Sequence, residues 1–110
     1  MRLAVLPLLL LATPAAANDL NDYPTSTRAD YVFGCMKANG DTRQALEQCS
    51  CSIDVIATIL PHDRYVAAET VASLNQQAGQ IGNMIRNTAV ARDALEELRR
   101  AQAEAQIRCF

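Results

Sequence analysis

The sequence predicts an all-α protein, a compact bundle of about four helices that is stapled by disulfides and follows a cleaved signal peptide. Apolar residues recur along the chain at the three- and four-residue spacing of helix faces. Short polar residues, glycine and proline stand where such helices would begin and end. The 110-residue chain also contains four cysteines, which in a short exported protein typically form disulfides.

The first seventeen residues have the features of a secretory signal peptide. Arg2 provides a basic start, residues 3–12 are predominantly apolar, and Ala15 and Ala17 provide small side chains at positions −3 and −1. The apolar run is far shorter than the roughly 20 residues that span a bilayer. We therefore expect cleavage after Ala17 and export to the periplasm.

The mature chain divides into a polar, loosely held N-terminal lead over residues 18–25 and a helical domain over residues 26–110. Charges of both signs are interspersed, and the whole chain has a formal net charge of −2 at pH 7. Because no basic stripe is present to neutralise phosphates, no nucleic-acid partner is expected. Nothing in the mature chain is apolar enough to span a membrane. The expected partner is another periplasmic protein.

The first two helices have recognisable ends. Ser26 or Thr27 should cap the first helix, and Asn39-Gly40 should end it; Asp41 should cap the second, which Pro61 closes. The apolar stripe of the first helix comprises Tyr31, Val32, Cys35 and Met36. The second helix carries Leu46, Cys49, Ile53, Ile56 and Leu60 on one face, and Cys51, Val55 and Ile59 on another. A helix with two apolar faces should be central, with a neighbour on each side.

Two further helices complete the bundle. Asp63 should cap the third, and the stretch from Gly79 to Asn87 should be a frayed turn or a bend, because glycine weakens helices. The third helix has the apolar residues Tyr65, Val66, Val71, Leu74 and Ala78. The last helix should begin at Asn87 or Thr88. Its buried stripe is Ala91, Ala94, Leu95, Leu98, Ala101 or Gln102, and Ala105.

The four cysteines predict two structural disulfides. Cys49 and Cys51 lie two residues apart on one helix, so their side chains point about 200° apart and each should bond to a different neighbour. The hairpin between the first two helices brings Cys35 near Cys49. This favours Cys35–Cys49 with Cys51–Cys109, while Cys35–Cys51 with Cys49–Cys109 stays open as the alternative.

A functional use of Cys49-Ser50-Cys51 would be as a thiol redox pair or a soft-metal site, in which two thiolates bind Cu(I) and Met36 or Met84 adds a thioether. Redox pairs more usually lie at a helix N-terminus, which lowers the thiol pKa, whereas this pair falls in the middle of a helix. The structural interpretation is therefore favoured, and the sequence predicts no resident metal or cofactor.

His62 and Asp54 are the other candidates for a special role. His62 is the only histidine, and a solvent-facing place at a helix start is favoured over a role as a base. Asp54 lies between two branched apolar residues, and two alternatives stay open: a partly buried carboxylate paired with Arg99 or Arg100, or a solvated position. No nucleophile–histidine arrangement is recognisable, so no catalytic residue is predicted.

Four segments carry a resemblance: YVFGCM at residues 31–36, CSCSID at 49–54, AETV at 68–71 and RAQAEAQIRCF at 100–110. On these segments, most of the mature domain resembles a group of small four-cysteine periplasmic proteins, whereas residues 80–86 are less similar. Genes of this group often lie near those for quinoprotein (PQQ-dependent) alcohol dehydrogenases and their cytochromes. The resemblance implies an accessory role in periplasmic alcohol oxidation and no catalytic residue.

The sequence therefore predicts a non-enzymatic periplasmic accessory or binding protein, associated with a quinoprotein alcohol dehydrogenase system. One alternative is a soft-metal or thiol redox carrier that uses Cys49 and Cys51. A small periplasmic chaperone is another alternative, suggested only by size, export and helicity. An immunity-type binding protein also fits, and no sequence feature separates it from the accessory protein.

Overall fold

The computed structural model describes residues 22–75, 79, 84 and 88–110. Within these ranges the chain forms four α-helices and no strand, which confirms the predicted all-α class. The helices are α1 Thr25–Asn39, α2 Arg43–Ile59, α3 His62–Asn75 and α4 Ala89–Cys109. The predicted signal peptide and its cleavage site lie outside the described residues, as do the start of the lead, Ala78 and most of the predicted turn over residues 79–87.

Helix α2 is the central helix of the bundle. It contacts α1 and α4, as its two apolar faces predict, and α4 also packs against α3. Helix α3 follows α2 closely in the chain, yet its main contacts are with α4 rather than with α2. None of the helices in the described part of the chain combines the length and apolarity needed to cross a membrane.

The core joins the apolar face of α2 to the alanine-rich stripe of α4. Ile53 and Ile56 are almost completely buried and belong to one cluster with Leu98. Alanines on α4 permit a close approach of the helices, and the predicted stripe is confirmed by the buried residues Ala91, Ala94, Leu98, Ala101 and Ala105. Leu46, expected on the core face, is instead partly exposed beside an apolar groove between α1 and α2.

The other predicted stripes are only partly buried. Ile59 on the second face of α2 and Val66 on α3 are each nearly half exposed. The buried positions of α3 are Tyr65 and Ala68, which lie three residues apart and therefore share a face. Ala68 lies outside the predicted stripe, because an alanine among polar residues gives no apolar signal.

The helix ends agree with the sequence in part. Helix α1 follows Pro24 with no side-chain cap, so the predicted caps Ser26 and Thr27 are wrong. It does end at Asn39, and Gly40 (φ 106°) donates its backbone N–H to the Met36 carbonyl at 2.7 Å, as a glycine stop does.

Threonines cap α2 and α4. The Thr42 hydroxyl accepts from the Ala45 backbone N–H at 3.0 Å, so the predicted cap Asp41 is wrong by one residue. The prediction of Thr88 is confirmed: its hydroxyl accepts from the Ala91 N–H at 3.3 Å. Adjacent residues with similar capping preference cannot be ranked from sequence alone.

Replacing Thr42 by alanine should lower the free energy of unfolding by about 1 kcal/mol, because the Ala45 N–H loses its acceptor. Asp41→Ala is the matched control and should stay within about 0.5 kcal/mol of the wild type. Urea denaturation followed by circular dichroism measures both variants. Equal losses would return the capping role to Asp41.

The lead is not loose where the structure describes it. Tyr23 is 4% exposed, and its hydroxyl donates to the Leu60 carbonyl at 2.6 Å. The Asp22 carboxylate accepts from the His62 backbone N–H at 2.7 Å. Asp22 therefore provides the acceptor for a backbone N–H at the start of α3, where Asp63 was predicted to act as the cap. These contacts attach the lead to the α2–α3 junction.

The same contacts enclose the histidine. The His62 ring is partly buried, its Nε2 lies 3.1 Å from the Thr27 hydroxyl, and it meets the Tyr23 ring edge-on at 5.1 Å between centroids. The predicted solvent-facing position is therefore wrong, because the sequence does not reveal that the lead folds back onto this turn.

Both disulfides have the preferred pairing. Cys35–Cys49 joins α1 to α2, with 5.8 Å between the Cα atoms, and Cys51–Cys109 joins α2 to the end of α4, with 5.7 Å. The opposite directions of residues 49 and 51 on one helix explain why each bonds to a different neighbour. The first and last helices are thus each covalently attached to α2.

Candidate ligand-binding cavity

The aromatic residues of the chain are concentrated around one cavity. The sequence contains three tyrosines, two phenylalanines and no tryptophan. Four of these five side chains, Tyr31, Phe33, Tyr65 and Phe110, line a cavity of about 720 Å³. Tyr23 does not line the cavity, and it lies in the same core cluster as Tyr65. This volume falls within the range of small-molecule sites.

Helical spacing places the lining residues. On α1, residues 30, 33, 34 and 37 are three or four apart and share one face. Tyr65 and Glu69 on α3, and Gln102 and Gln106 on α4, are pairs with the same i, i+4 spacing. Ser52 of α2 completes the lining, so every described helix contributes to the cavity.

Two carboxylates belong to the cavity. Glu69 on α3 is partly buried and is hydrogen-bonded to the Tyr65 hydroxyl, while Asp30 on α1 is exposed. Burial, and secondarily the negative charge of Asp30, raise the pKa of Glu69, and the Tyr65 hydrogen bond opposes this. A second cavity of about 520 Å³ is also lined by Asp30, Tyr65 and Glu69. The carboxylates therefore stand where the two cavities meet.

The two tyrosines are neutral hydrogen-bonding groups. Burial, followed by the charge of Glu69, raises the pKa of Tyr65 far above its usual value. Burial also raises the pKa of Tyr31, against the effect of its hydrogen bond with Ser52. Ser52 in turn donates to the Gln48 carbonyl at 3.0 Å. The phenols thus offer neutral hydroxyl groups, with no phenolate at physiological pH.

The face of the Phe33 ring is in contact with the ammonium group of Lys37. The Lys37 Nζ lies 4.5 Å from the centroid of the Phe33 ring, within the range of a cation–π interaction. Phe33 is 64% exposed, so its ring is accessible from solvent. Among the described residues that line the cavity, Lys37 is also the only basic one.

The structure places the predicted site residues in different surroundings. All four cysteines are in disulfides, and Cys35 forms part of the cavity wall. Asp54 is not buried: its side chain is 62% exposed and forms an ion pair with Arg28 of α1 rather than with Arg99 or Arg100. Asp54 lies on the side of α2 that packs against α1, so its carboxylate is at the exposed edge of this helix pair.

The disulfides also occupy the sulfur atoms that a soft metal would need. In this form neither Cys49 nor Cys51 has a thiolate to offer. Across the described ranges, no group of three or more His, Cys, Asp or Glu side chains is arranged to hold a metal ion. The lining of the 720 Å³ cavity includes neither a histidine nor a free thiol among the described residues.

Comparison with known proteins adds no family to this geometry. No protein-family model, curated protein or solved structure matches the chain. The cavity is therefore interpreted from its own residues.

The cavity is not recognisable as a site from the sequence. Its aromatic residues are far apart in the chain, and Tyr31 and Tyr65 fit core positions equally well. Two signals are present: the chain has only five aromatic residues, and Tyr65 and Glu69 are spaced to share one helix face. Neither signal indicates that α1 and the end of α4 complete the enclosure.

Glu69 should make stability depend on pH. The pKa of Glu69 in the folded chain lies above its usual value of 4.5, so the folded chain binds this proton more tightly than the unfolded chain does. Proton binding at Glu69 therefore stabilises the folded chain below pH 4.5, and this stabilisation is lost as the pH rises through the folded pKa. Glu69→Gln removes the ionisation. The difference in free energy of unfolding between the variant and the wild type should therefore favour the variant more at pH 7 than at pH 4. Urea denaturation at both pH values measures this difference. The same stability difference at both pH values would contradict the effect.

Proposed function

We propose that the chain is a non-enzymatic periplasmic accessory protein that acts by binding, with the 720 Å³ cavity as its binding site. The observation that carries the proposal is the gathering of four of the five aromatic side chains around this one cavity. Ligand sites typically combine aromatic walls with a few convergent polar groups. Here the polar groups include the two carboxylates, Lys37, the tyrosine hydroxyls and the side chains of Asn39, Ser52, Gln102 and Gln106.

Binding without catalysis fits the chemistry of the lining. The tyrosines remain protonated, for the reasons given above, and the sulfur of Cys35 is in a disulfide. General acid–base and nucleophilic catalysis need a group that exchanges protons near neutral pH or an activated nucleophile. Burial raises the pKa of Glu69, but the described lining places no histidine or free thiol beside it, so we infer recognition rather than reaction.

The cellular setting rests on the sequence. The signal-like start and the two disulfides support function in an oxidising compartment, and the resemblance supports an association with quinoprotein alcohol dehydrogenases. Most cavity residues, among them Phe33, Glu69 and Phe110, lie in the segments that carry this resemblance.

Native mass spectrometry of protein purified from the periplasm tests the proposal. We expect a chain that starts at Asn18, has lost two hydrogens per disulfide, and carries a non-covalent small molecule that denaturation releases. Gly34→Phe is the matched variant: Gly34 lines the cavity, and a Cβ added to it would meet no neighbouring atom within 4 Å, so the position accepts a side chain. It should fold and carry no adduct. Bare wild-type protein would contradict the binding function.

An affinity pull-down from the same periplasm tests the accessory role. Recovery of a quinoprotein dehydrogenase or its cytochrome with the wild type is the expected result. Recovery of neither would contradict the association with alcohol oxidation and would leave the cavity as a ligand site to be judged by its adduct.

A further inference from the structure

We infer that the cavity binds a small organic cation, an alkylammonium or quaternary ammonium group. This inference rests on the proposed binding function and names its ligand class. It depends on three features of the lining: the aromatic ring faces, the two carboxylates and the location of the single lysine.

The ring faces provide the first feature. Tyr and Phe rings attract cations through the negative charge of their faces, and this attraction strengthens when the cation is desolvated. Cages of aromatic side chains are the usual receptors for quaternary ammonium groups. In this cavity Lys37 already lies over Phe33, so the face of at least one ring is placed to accept a positive charge.

The carboxylates provide the second feature. Neither Asp30 nor Glu69 forms an ion pair with arginine or lysine among the described residues, whereas Asp54, Glu47 and Glu97 do. A partly buried carboxylate without a cationic partner is costly to ionise. An ammonium ligand between α1 and α3 would supply a positive charge to both.

The balance of charge separates a cation from other ligands. The described lining contains two carboxyl groups and one amine, a composition that disfavours an anion. A bare metal ion is also disfavoured, because the described residues offer no group of three metal-ligating side chains and the cavity is far larger than an ion. An organic cation fits both the volume and the charge.

Lys37 provides the third feature, because it should weaken the binding of a cation. It repels a positive ligand and covers the Phe33 face that the ligand would use. Lys37→Gln removes both effects, so it should tighten the binding of a cation. For a zwitterion or an anion, the same change should weaken binding, since it removes the basic group of the described lining.

Isothermal titration of the disulfide-bonded mature protein with four ligands of similar shape tests the inference. Choline and 3,3-dimethylbutan-1-ol differ mainly in the positive charge, and glycine betaine and 3,3-dimethylbutanoate repeat this pair with a carboxylate added. We expect choline to bind at least about tenfold more tightly than the neutral alcohol, as a cation–π and charge contribution of roughly 1.4 kcal/mol gives. Choline should also bind more tightly than either carboxylate-bearing ligand.

Variants connect the binding to the cavity. Glu69→Gln and Asp30→Asn should each weaken choline binding about fivefold, a change of roughly 1 kcal/mol, and Lys37→Gln should strengthen it. Glu47→Gln, on an exposed part of α2 outside the cavity, is the matched control and should bind choline like the wild type. Circular dichroism establishes that each variant is folded.

Several results would overturn the inference while leaving the proposed function intact. These are equal affinity for choline and the neutral alcohol, preference for glycine betaine or the anion, or choline binding that Glu69→Gln and Asp30→Asn do not change. If none of the four ligands binds but the periplasmic protein carries an adduct, the inference of an organic cation is also overturned and the proposed binding function stands. The proposed ligand binding itself fails only on the absence of that adduct.

Discussion

Removing the Cys51–Cys109 disulfide should lower the free energy of unfolding by about 4 kcal/mol. The bridge joins residues separated by 58 positions, and in the chain-entropy model the loss grows with the length of the closed loop. The double variant Cys51→Ala with Cys109→Ala removes the bridge without leaving a free thiol. Because small domains have total stabilities of only about 5–15 kcal/mol, much of the folded population could be lost at elevated temperature.

The Cys35–Cys49 bridge is the matched comparison. It spans 14 positions, and its removal by the corresponding double alanine variant should cost about 3 kcal/mol. Guanidinium denaturation of the purified proteins measures both differences on one scale. A larger loss for the shorter loop would contradict the entropic account and would point to native contacts as the main source of stabilisation.

Replacing Tyr23 by alanine should lower the free energy of unfolding by about 3–4 kcal/mol. The ring is buried and packs near His62 and Tyr65, with 5.2 Å between the two tyrosine centroids. Its hydroxyl donates to the Leu60 carbonyl, which closes α2. Alanine therefore leaves a cavity and an unsatisfied carbonyl at the α2–α3 junction.

Two further variants separate the parts of this effect. Tyr23→Phe keeps the ring and loses only the hydrogen bond, so it should cost about 1 kcal/mol. Phe33→Ala truncates an aromatic side chain that is 64% exposed, and it should cost less than about 1 kcal/mol. Urea denaturation measures all three. A loss for Tyr23→Ala no larger than that for Phe33→Ala would show that the lead does not anchor the bundle.

The bundle was predictable from the period of its apolar residues and from the directions in which two cysteine side chains leave one helix. The stripes of α2 and α4 repeat every three to four residues, which only a helix places on one face. The direction of Cys49 and Cys51 on a shared helix limited the disulfide pairing to two patterns. The order of contacts was less accessible, since α3 follows α2 in the chain and nevertheless packs mainly on α4.

The missed features depend on tertiary contacts that no local pattern encodes. Tyr23 is a single aromatic residue in a polar segment, so nothing in its neighbours predicts burial. Asp22 acts as a cap across 40 positions of sequence, whereas capping rules consider adjacent residues only. The cavity required residues from both ends of the domain, and Phe110 reaches it because the Cys51–Cys109 bridge holds the end of α4 against α2.

Because Cys35 forms part of the cavity wall, the proposed ligand binding would depend on when the Cys35–Cys49 disulfide forms. A precursor in a reducing cytosol keeps its thiols free, so the link between α1 and α2 that shapes this wall is not yet formed. For a chain exported as proposed, a ligand abundant inside the cell would therefore not be sequestered during synthesis. Uptake would begin only after oxidation, and the protein would report on the ligand pool outside the inner membrane.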